Sequence, residues 1–353
     1  MKTFLITGGA GFVGSSLAIL LKENFSDIDV IALDNLKRRG SELNIRRLQE
    51  KGVEFCHGDI RNTEDLNFNN IDYLIECSAE PSVLAGFDGS PDYLLNTNLG
   101  GTIHCLELAR KCDARIIFLS TSRVYPIHSL NQLKYREDES RFHWEENQSF
   151  QGFSPDGINE QFNLNGARSL YGTSKLASEL IIQEYGEMYN LEYVINRCGV
   201  IAGPWQMGKT DQGVVALWAA KHLSGNDLSY IGFNGSGKQV RDVLHIRDLF
   251  SLIKIQIDDF PKVLNETFNV GGGKANSVSL KEMTGICRQV TGKSINIGSE
   301  PENRPADIRI YISDNSKVIQ ATGWIPQISP TQTIDDVCKW IRKHQSSLDS
   351  IIN

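Results

Sequence analysis

The sequence predicts an α/β fold in which helices cover both faces of a parallel β-sheet. Short apolar runs alternate with amphipathic helical stretches through the first half of the 353-residue chain. A glycine-rich turn directly follows the first apolar run and precedes a helical one. This alternation is typical of the doubly wound, Rossmann-type arrangement, which binds ligands beyond the carboxyl ends of its strands.

Each expected element is a run with a clear apolar period. The expected strands are residues 3–7, 30–33, 54–56, 73–76, 115–120, 193–197 and, later in the chain, 267–270. The expected helices are residues 13–24, 99–112, 171–189, 281–291 and 333–344. After residue 197 the alternation becomes irregular, which indicates a second, smaller α/β lobe at the carboxyl end.

Bulk composition limits the classes of function. A net charge of -7 gives no basic footprint, so we expect no nucleic-acid partner. The first apolar run leads straight into the glycine turn, and no run approaches the ~18 residues of a membrane span, so we expect neither a signal peptide nor a membrane partner. Seven cysteines without paired spacing favour a cytoplasmic protein, and no metal site is expected.

The glycine turn has the spacing of a dinucleotide-binding motif. Gly8, Gly11 and Gly14 form G-x-x-G-x-x-G. Glycine is needed because a Cβ would block the tight turn and hold the backbone away from a pyrophosphate. The helix that follows begins near Phe12 and Val13, where free N–H groups and the helix dipole attract phosphate.

An acid stands about 20 positions after the last of these glycines, as the motif requires. A carboxylate at Asp34 accepts hydrogen bonds from the adenosine ribose and repels a 2′-phosphate, which favours NAD over NADP. The basic residues 37–39 leave NADP as an alternative cofactor, because nearby cations can accept a 2′-phosphate. Asp59 and Ile60 follow the third strand, where an acid can meet the adenine edge.

Tyr171 and Lys175 lie four residues apart at the start of a predicted helix and therefore share one face. A free phenol has a pKa of about 10, and lowering it by three units requires about 4 kcal/mol. One cation at about 4 Å supplies that amount at an effective dielectric of about 20. The pair can therefore act as a general base, although a Tyr/Lys pair alone is also common on ordinary helices. Thr121 directly follows the strand 115–120, at the sheet edge where such sites lie.

Together these motifs resemble the extended short-chain dehydrogenase/reductase family over nearly the whole chain. The resemblance implies Thr121 as the hydroxyl that holds the reacting oxygen, Tyr171 as the base, and Lys175 as its activator and ribose anchor. It implies NAD as cofactor and a nucleotide-sugar as substrate, with the diphosphate clamped by forked arginine donors. The cofactor-binding candidates are Gly8, Gly11, Phe12, Val13, Gly14, Asp34, Asn35, Arg38, Asp59, Ile60, Ser78, Ala79, Asn98, Tyr171 and Lys175.

Departures from the family's motif indicate which of the family's reactions the chain is expected to catalyse. The dehydratases carry Thr-Asp-Glu at the strand end and the decarboxylases Thr-Ser-Glu, whereas this chain has Thr121-Ser122-Arg123. Without added carboxylates, the implied reaction is epimerisation by transient oxidation of a carbinol and return of the hydride to the opposite face. Residues 197–213 and 237–242 most resemble enzymes that act at C2 of CDP-hexoses. The substrate-binding candidates are Ser122, Arg123, Gln206, Lys209, Gln212, Arg241 and Arg304.

Three alternatives stay open: a 4-epimerase of UDP-sugars, another NAD-dependent epimerase or dehydratase, and a non-enzymatic protein that senses dinucleotides. We expect a NAD-binding Rossmann domain over residues 1–199, with 240–273 crossing back to it. Residues 200–239 and 274–345 then form the nucleotide-sugar lobe. The polar segment 126–168 is expected to be a flap on the substrate side. Helices 99–112 and 171–189 resemble the pair that forms a dimer interface in relatives, so a homodimer is expected.

Overall fold

The computed structural model describes residues 1–87, 89–208 and 213–352, except for the side chains of 349–352. The chain forms two compact units. Unit 1 comprises Met1–Val124, Leu170–Arg197 and Phe250–Phe268. Unit 2 comprises Tyr125–Ser169, Cys198–Leu249 and Asn269–Asn353.

The strands are, in chain order, β1 (Lys2–Thr7), β2 (Ile28–Asp34), β3 (Glu54–His57), β4 (Tyr73–Glu76), β5 (Arg115–Thr121), β6 (Tyr135–Glu137), β7 (Phe142–Trp144), β8 (Phe153–Ser154), β9 (Gly157–Ile158), β10 (Tyr193–Cys198), β11 (Val200–Ala202), β12 (Leu228–Ile231), β13 (Val240–His245), β14 (Glu266–Val270), β15 (Ser277–Ser279), β16 (Ile297–Glu300) and β17 (Ile310–Tyr311).

The helices are α1 (Phe12–Asn24), α2 (Leu43–Glu50), α3 (Asp92–Leu95), α4 (Gly101–Cys112), α5 (Ile127–Gln132), α6 (Ser169–Tyr189), α7 (Val214–Ser224), α8 (Ile246–Asp258), α9 (Leu280–Thr291), α10 (Ser316–Thr322), α11 (Pro330–Lys343) and α12 (Gln345–Ile352). Within the described part of the chain, none of them has the length and apolar character that crossing a membrane demands.

Unit 1 contains a seven-stranded sheet in the order β14-β10-β5-β4-β1-β2-β3. The neighbours from β3 through β5 run parallel. On one face, side chains such as Leu74 and Phe118 pack with Leu106 of α4 and Ile182 of α6 in one buried cluster. The predicted doubly wound α/β fold is confirmed, because apolar strands alternating with amphipathic helices bury both faces of a parallel sheet.

A buried ion pair joins α6 to the sheet of unit 1. Arg197 of β10 donates from Nη2 to Glu179 Oε2 at 2.7 Å, and its Nε contacts both carboxylate oxygens. The side chains are 6% and 1% exposed, so water screens the pair very little. Ser120 of β5 donates its hydroxyl to the same carboxylate. The middle of α6 is therefore fixed over β5 and β10.

Unit 2 contains a small sheet in which β13 pairs with β11, β15 and β17. The segment 126–168, which we expected to be a flap, folds as part of this unit. It contains α5 and the hairpins β6–β7 and β8–β9, and Phe142 and Ile158 are buried. The Ile158 amide donates to the Ile312 carbonyl at 2.9 Å. The strands of this segment have only two or three residues, too few to show a period in the sequence.

Removal of the arginine from the buried pair tests its role. We expect Arg197→Ala to lower the free energy of unfolding by about 3–5 kcal/mol, because Glu179 is left as an unpaired buried charge. Urea unfolding followed by circular dichroism measures the shift. The matched control is Arg46→Ala. The partner of Arg46, Glu50, is exposed, so loss of this ion pair lowers the free energy of unfolding by about 1 kcal/mol or less. Equal shifts for the two variants would contradict the assignment.

Candidate active site

The glycine turn after β1 brings its backbone against the start of α1. Gly8 has a φ of +63°, which favours glycine, and its carbonyl accepts from the Gly11 amide at 3.0 Å. A Cβ on Gly14 would lie 2.2 Å from that carbonyl oxygen, so a side chain has no room here. Phe12 and Val13 begin α1, and the cap residue Gly11 has no side chain to occupy the first N–H groups. The turn therefore fits a dinucleotide, whose phosphates those amides can bind.

Two residues of α2 support the turn, and neither was predicted from the sequence. Asn44 is buried and donates from Nδ2 to the Ala10 carbonyl at 2.8 Å. Arg47 donates from Nη1 to Asn44 Oδ1 at 2.9 Å and to Ser15 Oγ at 3.2 Å. The available signal was a polar residue at a buried position of a short amphipathic helix.

Asp34 ends β2 beside the glycine turn. Its Oδ2 accepts from the Ala10 amide at 3.1 Å, and its Oδ1 accepts from the Leu36 amide at 2.8 Å. Burial raises the pKa of the Asp34 carboxyl, while the hydrogen bonds from the two amides act in the opposite direction. The predicted ribose-binding acid is thus held by backbone donors next to the turn.

Asp59 follows β3 and is joined to the residue after Asp34. Asn35 donates from Nδ2 to Asp59 Oδ2 at 2.8 Å, and Arg61 donates from Nη2 to the same oxygen at 2.6 Å. The hydrogen bond from Arg61 lowers the pKa of Asp59 to about 2. Ile60 is buried, and Arg38 is half-buried in the loop after β2. The two strand ends therefore form one hydrogen-bonded edge beside the turn.

The loop after β4 also lies against the glycine turn. A Cβ on Gly8 would lie 2.9 Å from the backbone atoms of Cys77 and Ser78. The Cys77 amide donates to the Thr7 carbonyl at 3.1 Å, so the loop continues the pairing of β4 with β1. Ala79 follows in the same loop. The structure therefore brings the predicted residues Ser78 and Ala79 to the turn.

Asn98 shapes that loop from a π-helical turn over Asn96–Gly100. Its Oδ1 accepts from the Glu80 amide at 2.7 Å, and its Nδ2 donates to the Glu80 carbonyl at 3.1 Å and to Ser174 Oγ at 3.1 Å. Ser174 in turn donates to the Tyr171 carbonyl at 2.8 Å. The amide of Asn98 is thus engaged by protein groups, and its contribution is to fix the loop and α6.

The predicted catalytic residues lie on β5 and α6 of unit 1. Thr121 is the last residue of β5, 8% exposed, and its Oγ1 accepts from the Arg123 amide at 3.2 Å. Tyr171 lies half-buried in the first turn of α6. Lys175, one turn later, is 2% exposed, and its Nζ lies 3.8 Å from the centre of the Phe118 ring of β5. The ammonium is therefore packed onto the strand that ends in Thr121.

In unit 2, Arg241 of β13 is held next to the segment that contains Arg304. Its Nη2 donates to the Ile308 carbonyl at 2.6 Å and lies 3.4 Å from Asp307 Oδ1. The Asp307 amide donates back to the Arg304 carbonyl at 3.3 Å. The guanidinium of Arg241 is thus anchored to the short segment of unit 2 that contains Arg304.

Asn131 of α5 fixes the same segment from its other side. Its Nδ2 donates to the Asp307 carbonyl at 3.0 Å, and its Oδ1 accepts from the Arg309 amide at 2.9 Å. The Arg309 guanidinium stacks over Tyr135 at 3.9 Å and lies 5.3 Å from the Phe233 ring centre. Sequence reasoning missed Asn131, because an asparagine in a polar segment shows no sign of a partner 176 residues away.

The remaining predicted substrate residues are only partly described. Gln206 donates from Nε2 to the Ile201 carbonyl at 2.9 Å, and its side chain is engaged within unit 2. Residues 122–123 form a half-exposed turn after β5 in unit 1. Lys209 and Gln212 lie outside the described residues, so their prediction stays as it was made.

Comparison with known proteins assigns the chain to a family. Residues 4–271 match the NAD dependent epimerase/dehydratase family. The chain therefore belongs to this family of sugar-nucleotide enzymes, and NAD is its cofactor. The resemblance drawn from the glycine turn and the Tyr171–Lys175 pair is confirmed at this level.

Three known proteins show how similar the chain is to individual members of the family. The chain is 32% identical over 345 residues to CDP-paratose 2-epimerase of Salmonella typhi, which covers 95% of this chain and 98% of the relative. It is 28% identical to UDP-glucuronic acid decarboxylase 3 of Arabidopsis thaliana, over 92% of this chain and 84% of the relative. The UDP-glucose 4-epimerase of Thermus thermophilus, solved with NAD, superposes with a TM-score of 0.76 at 25% identity, over 97% of this chain and 99% of that chain.

A methyl group in the glycine turn tests the dinucleotide site. We expect Gly14→Ala to weaken NAD binding at least tenfold, because the Cβ must displace the Gly8 carbonyl from 2.2 Å. Isothermal titration calorimetry with NAD measures the affinity. Gly285→Ala in α9, where a Cβ meets nothing within 4 Å, is the matched control and should bind NAD like the wild type. Unchanged affinity in Gly14→Ala would exclude this turn as the site.

Proposed function

We propose that this protein is a NAD-dependent 2-epimerase of a CDP-hexose, of the type that interconverts CDP-paratose and CDP-tyvelose. The observation that carries the proposal is the position of Lys175 on α6, one turn beyond Tyr171. Its ammonium is buried against Phe118, which belongs to the strand that ends in Thr121. Such a cation lowers the cost of forming a phenolate at Tyr171. The likeness to CDP-paratose 2-epimerase over 95% of this chain supports the choice of substrate.

In the proposed mechanism, the Tyr171 phenolate accepts the proton of the C2 hydroxyl and later returns it to the same oxygen. The Thr121 hydroxyl donates a hydrogen bond to that oxygen and holds it in place. Lys175 stabilises the phenolate. NAD, when held by the glycine turn and Asp34, would supply the hydride acceptor for oxidation at C2 and the hydride donor for reduction at the other face of the sugar. The oxidised and reduced states balance within one turnover, so no net NADH forms.

The turn after β5 supports epimerisation rather than elimination or decarboxylation. Dehydration needs an acid and a base besides the tyrosine, because a hydroxide must leave from a neighbouring carbon. Here Ser122 and Arg123 follow Thr121 and provide no carboxylate. With Tyr171 as the base, the simplest chemistry is oxidation followed by reduction at one carbon.

The sugar must turn over between the two hydride transfers, so the nucleotide end has to be the fixed end. Arg241 and Arg304 are the proposed clamps, since a forked guanidinium binds phosphate oxygens in pairs. Asn131 and Arg241 hold the segment that carries Arg304 by side-chain hydrogen bonds to its backbone. A rigid diphosphate grip with few contacts to the sugar allows this rotation.

A 4-epimerase of UDP-sugars is the second candidate, because the Thermus UDP-glucose 4-epimerase shares the fold over 97% of this chain. The same Tyr171 and Lys175 chemistry serves at C4. A dinucleotide-sensing protein without activity is the third, and it has no need of a buried lysine beside a tyrosine.

The proposal includes a cytoplasmic homodimer. All seven cysteines are free thiols, which suits a reducing compartment. On α6, Leu180, Met188 and Tyr189 are 55%, 65% and 46% exposed, an apolar surface that a second copy can cover.

The reaction itself is tested on the purified enzyme without added cofactor. We expect CDP-paratose and CDP-tyvelose to interconvert with inversion at C2, read by proton NMR, and absorbance at 340 nm to stay flat. UDP-glucose run in parallel tests inversion at C4. Turnover of UDP-glucose alone would replace the first candidate by the second, and turnover of neither would contradict both.

Loss of the phenol tests the assigned base. We expect Tyr171→Phe to lower kcat by about 10²–10⁴-fold, the range typical of a lost general base, while NAD affinity stays at the wild-type value. Single-turnover kinetics and calorimetry measure the two effects. A variant with wild-type kcat would remove Tyr171 from the mechanism.

The proposed role of Arg304 in binding the diphosphate is tested by replacing Asn131, which fixes the segment that carries Arg304. We expect Asn131→Leu to raise KM for the nucleotide-sugar about tenfold with kcat nearly unchanged, because two hydrogen bonds to the segment with Arg304 are lost. Initial-rate kinetics separate KM from kcat. The matched control is Gln132→Leu, whose exposed side chain contacts His128 and should leave KM as it is. A fall in kcat alone would contradict the positioning role.

A further inference from the structure

A carboxyl group is buried in the middle of the unit 1 sheet. Glu76 ends β4 and is 1% exposed. In register, it lies between Thr7 of β1 and Phe118 of β5, so the three side chains project from the same face. Before its carboxyl edge, that face is apolar and is covered by α4 and α6. An acid in such a place is costly unless it has a partner.

Lys175 of α6 is the cation whose charge acts on the Glu76 carboxyl. Its Nζ lies 3.8 Å from the centre of the Phe118 ring, the residue paired with Glu76 across the sheet. Both side chains are almost inaccessible to water, at 1% and 2% exposure. A buried carboxyl and a buried ammonium thus occupy neighbouring positions in a low-dielectric environment, where charges interact strongly.

Hydrogen bonds compensate only part of the negative charge on the Glu76 carboxylate. Its Oε1 accepts from Thr102 Oγ1 of α4 at 2.6 Å, and within the described residues its buried Oε2 makes no hydrogen bond. Burial is the largest effect and raises the pKa of Glu76 above its usual value, although the charge of Lys175 and the hydroxyl of Thr102 act in the opposite direction. Cys105 of α4 also faces the pair, but burial raises its pKa well above the usual value, so it stays a neutral thiol. The other nearby acid, Glu179, is neutralised by Arg197.

We propose that Glu76 is a positioning residue that works as a carboxylate, supplies the buried counter-charge of Lys175, and thereby sets the pH range in which Tyr171 accepts protons. The proposal rests on the proposed function, in which Tyr171 is the base and Lys175 its activator. Glu76 touches neither substrate nor cofactor in this role. It acts through the lysine.

The sign of the effect follows from electrostatics. A nearby anion favours the protonated form of an ammonium and disfavours a phenolate, so it raises the proton affinity of both Lys175 and Tyr171. Replacing the carboxylate by a neutral group lowers both. The acid and alkaline limbs of the activity profile therefore move together toward lower pH, by about 1–2 units for a charge a few ångströms beyond contact. A merely structural defect lowers the maximum and leaves the limbs where they are.

The experiment is the pH dependence of kcat/KM for the full-length enzyme and three variants. Glu76→Gln keeps the shape and the acceptor for Thr102 but removes the charge, and it should move both limbs by about 1–2 units toward acid. Glu76→Asp keeps the charge and should hold the wild-type limbs. Thr102→Val removes the hydrogen bond but not the charge, and its limbs should also stay in place. Limbs of Glu76→Gln that coincide with those of the wild type would overturn the proposal.

A second measurement separates this inference from the proposed function. Ultraviolet titration of the NAD-loaded protein, with the spectrum of Tyr171→Phe subtracted, reports ionisation of Tyr171 without any substrate. Ionisation at lower pH in Glu76→Gln supports the role of Glu76 even if no nucleotide-sugar is turned over. Ionisation at the wild-type pH contradicts it even if the enzyme is active. Should Glu76→Gln not fold, Glu76→Met removes the same charge in a form suited to an apolar surround.

Discussion

The burial of the Lys175 ammonium is the constraint on which the rest of unit 1 depends. A charge 2% exposed has lost its water, so the surrounding structure has to replace that stabilisation. The Phe118 ring and the Glu76 carboxyl do so from the sheet. They can do so only while α6 stays docked, which is the task of the Glu179–Arg197 pair and of Ser120. The reactive pair, the sheet and the buried ion pair are therefore one cooperative arrangement.

The order of strands and helices in unit 1 can be predicted because it depends on local patterns in the sequence. Alternating apolar strands and amphipathic helices identify a parallel sheet, and glycine spacing identifies a turn whose backbone must approach another group closely. Asp34 and Thr121 could be predicted for a related reason: parallel strands end at one edge, so chemistry-bearing residues at those ends meet. Tyr171 could be predicted from its helical spacing to Lys175. Each of these inferences needs only a short window of sequence and a rule of geometry.

What the sequence could not reveal depends on contacts between distant parts of the chain. Glu76 looked like an ordinary polar strand end, since its burial depends on α4 and α6 packing over it. Asn131 finds its backbone partners more than 170 residues later. The segment 126–168 lacks a period because its strands are very short, yet it packs within unit 2 through Phe142 and Ile158. Partners of this kind emerge only when the tertiary fold is known.

The π-helical turn over Asn96–Gly100 makes the number of residues in this segment, and not only their identity, a requirement of the site. A π turn holds one more residue than the α-helix it interrupts, and here it points the Asn98 carbonyl at the hydroxyl of Ser178. Deleting a single residue would restore ordinary helical winding and rotate everything before the turn by about 100° relative to α4. Homologues that lack this extra residue must therefore reach the same loop geometry by another route, whatever amino acids they carry.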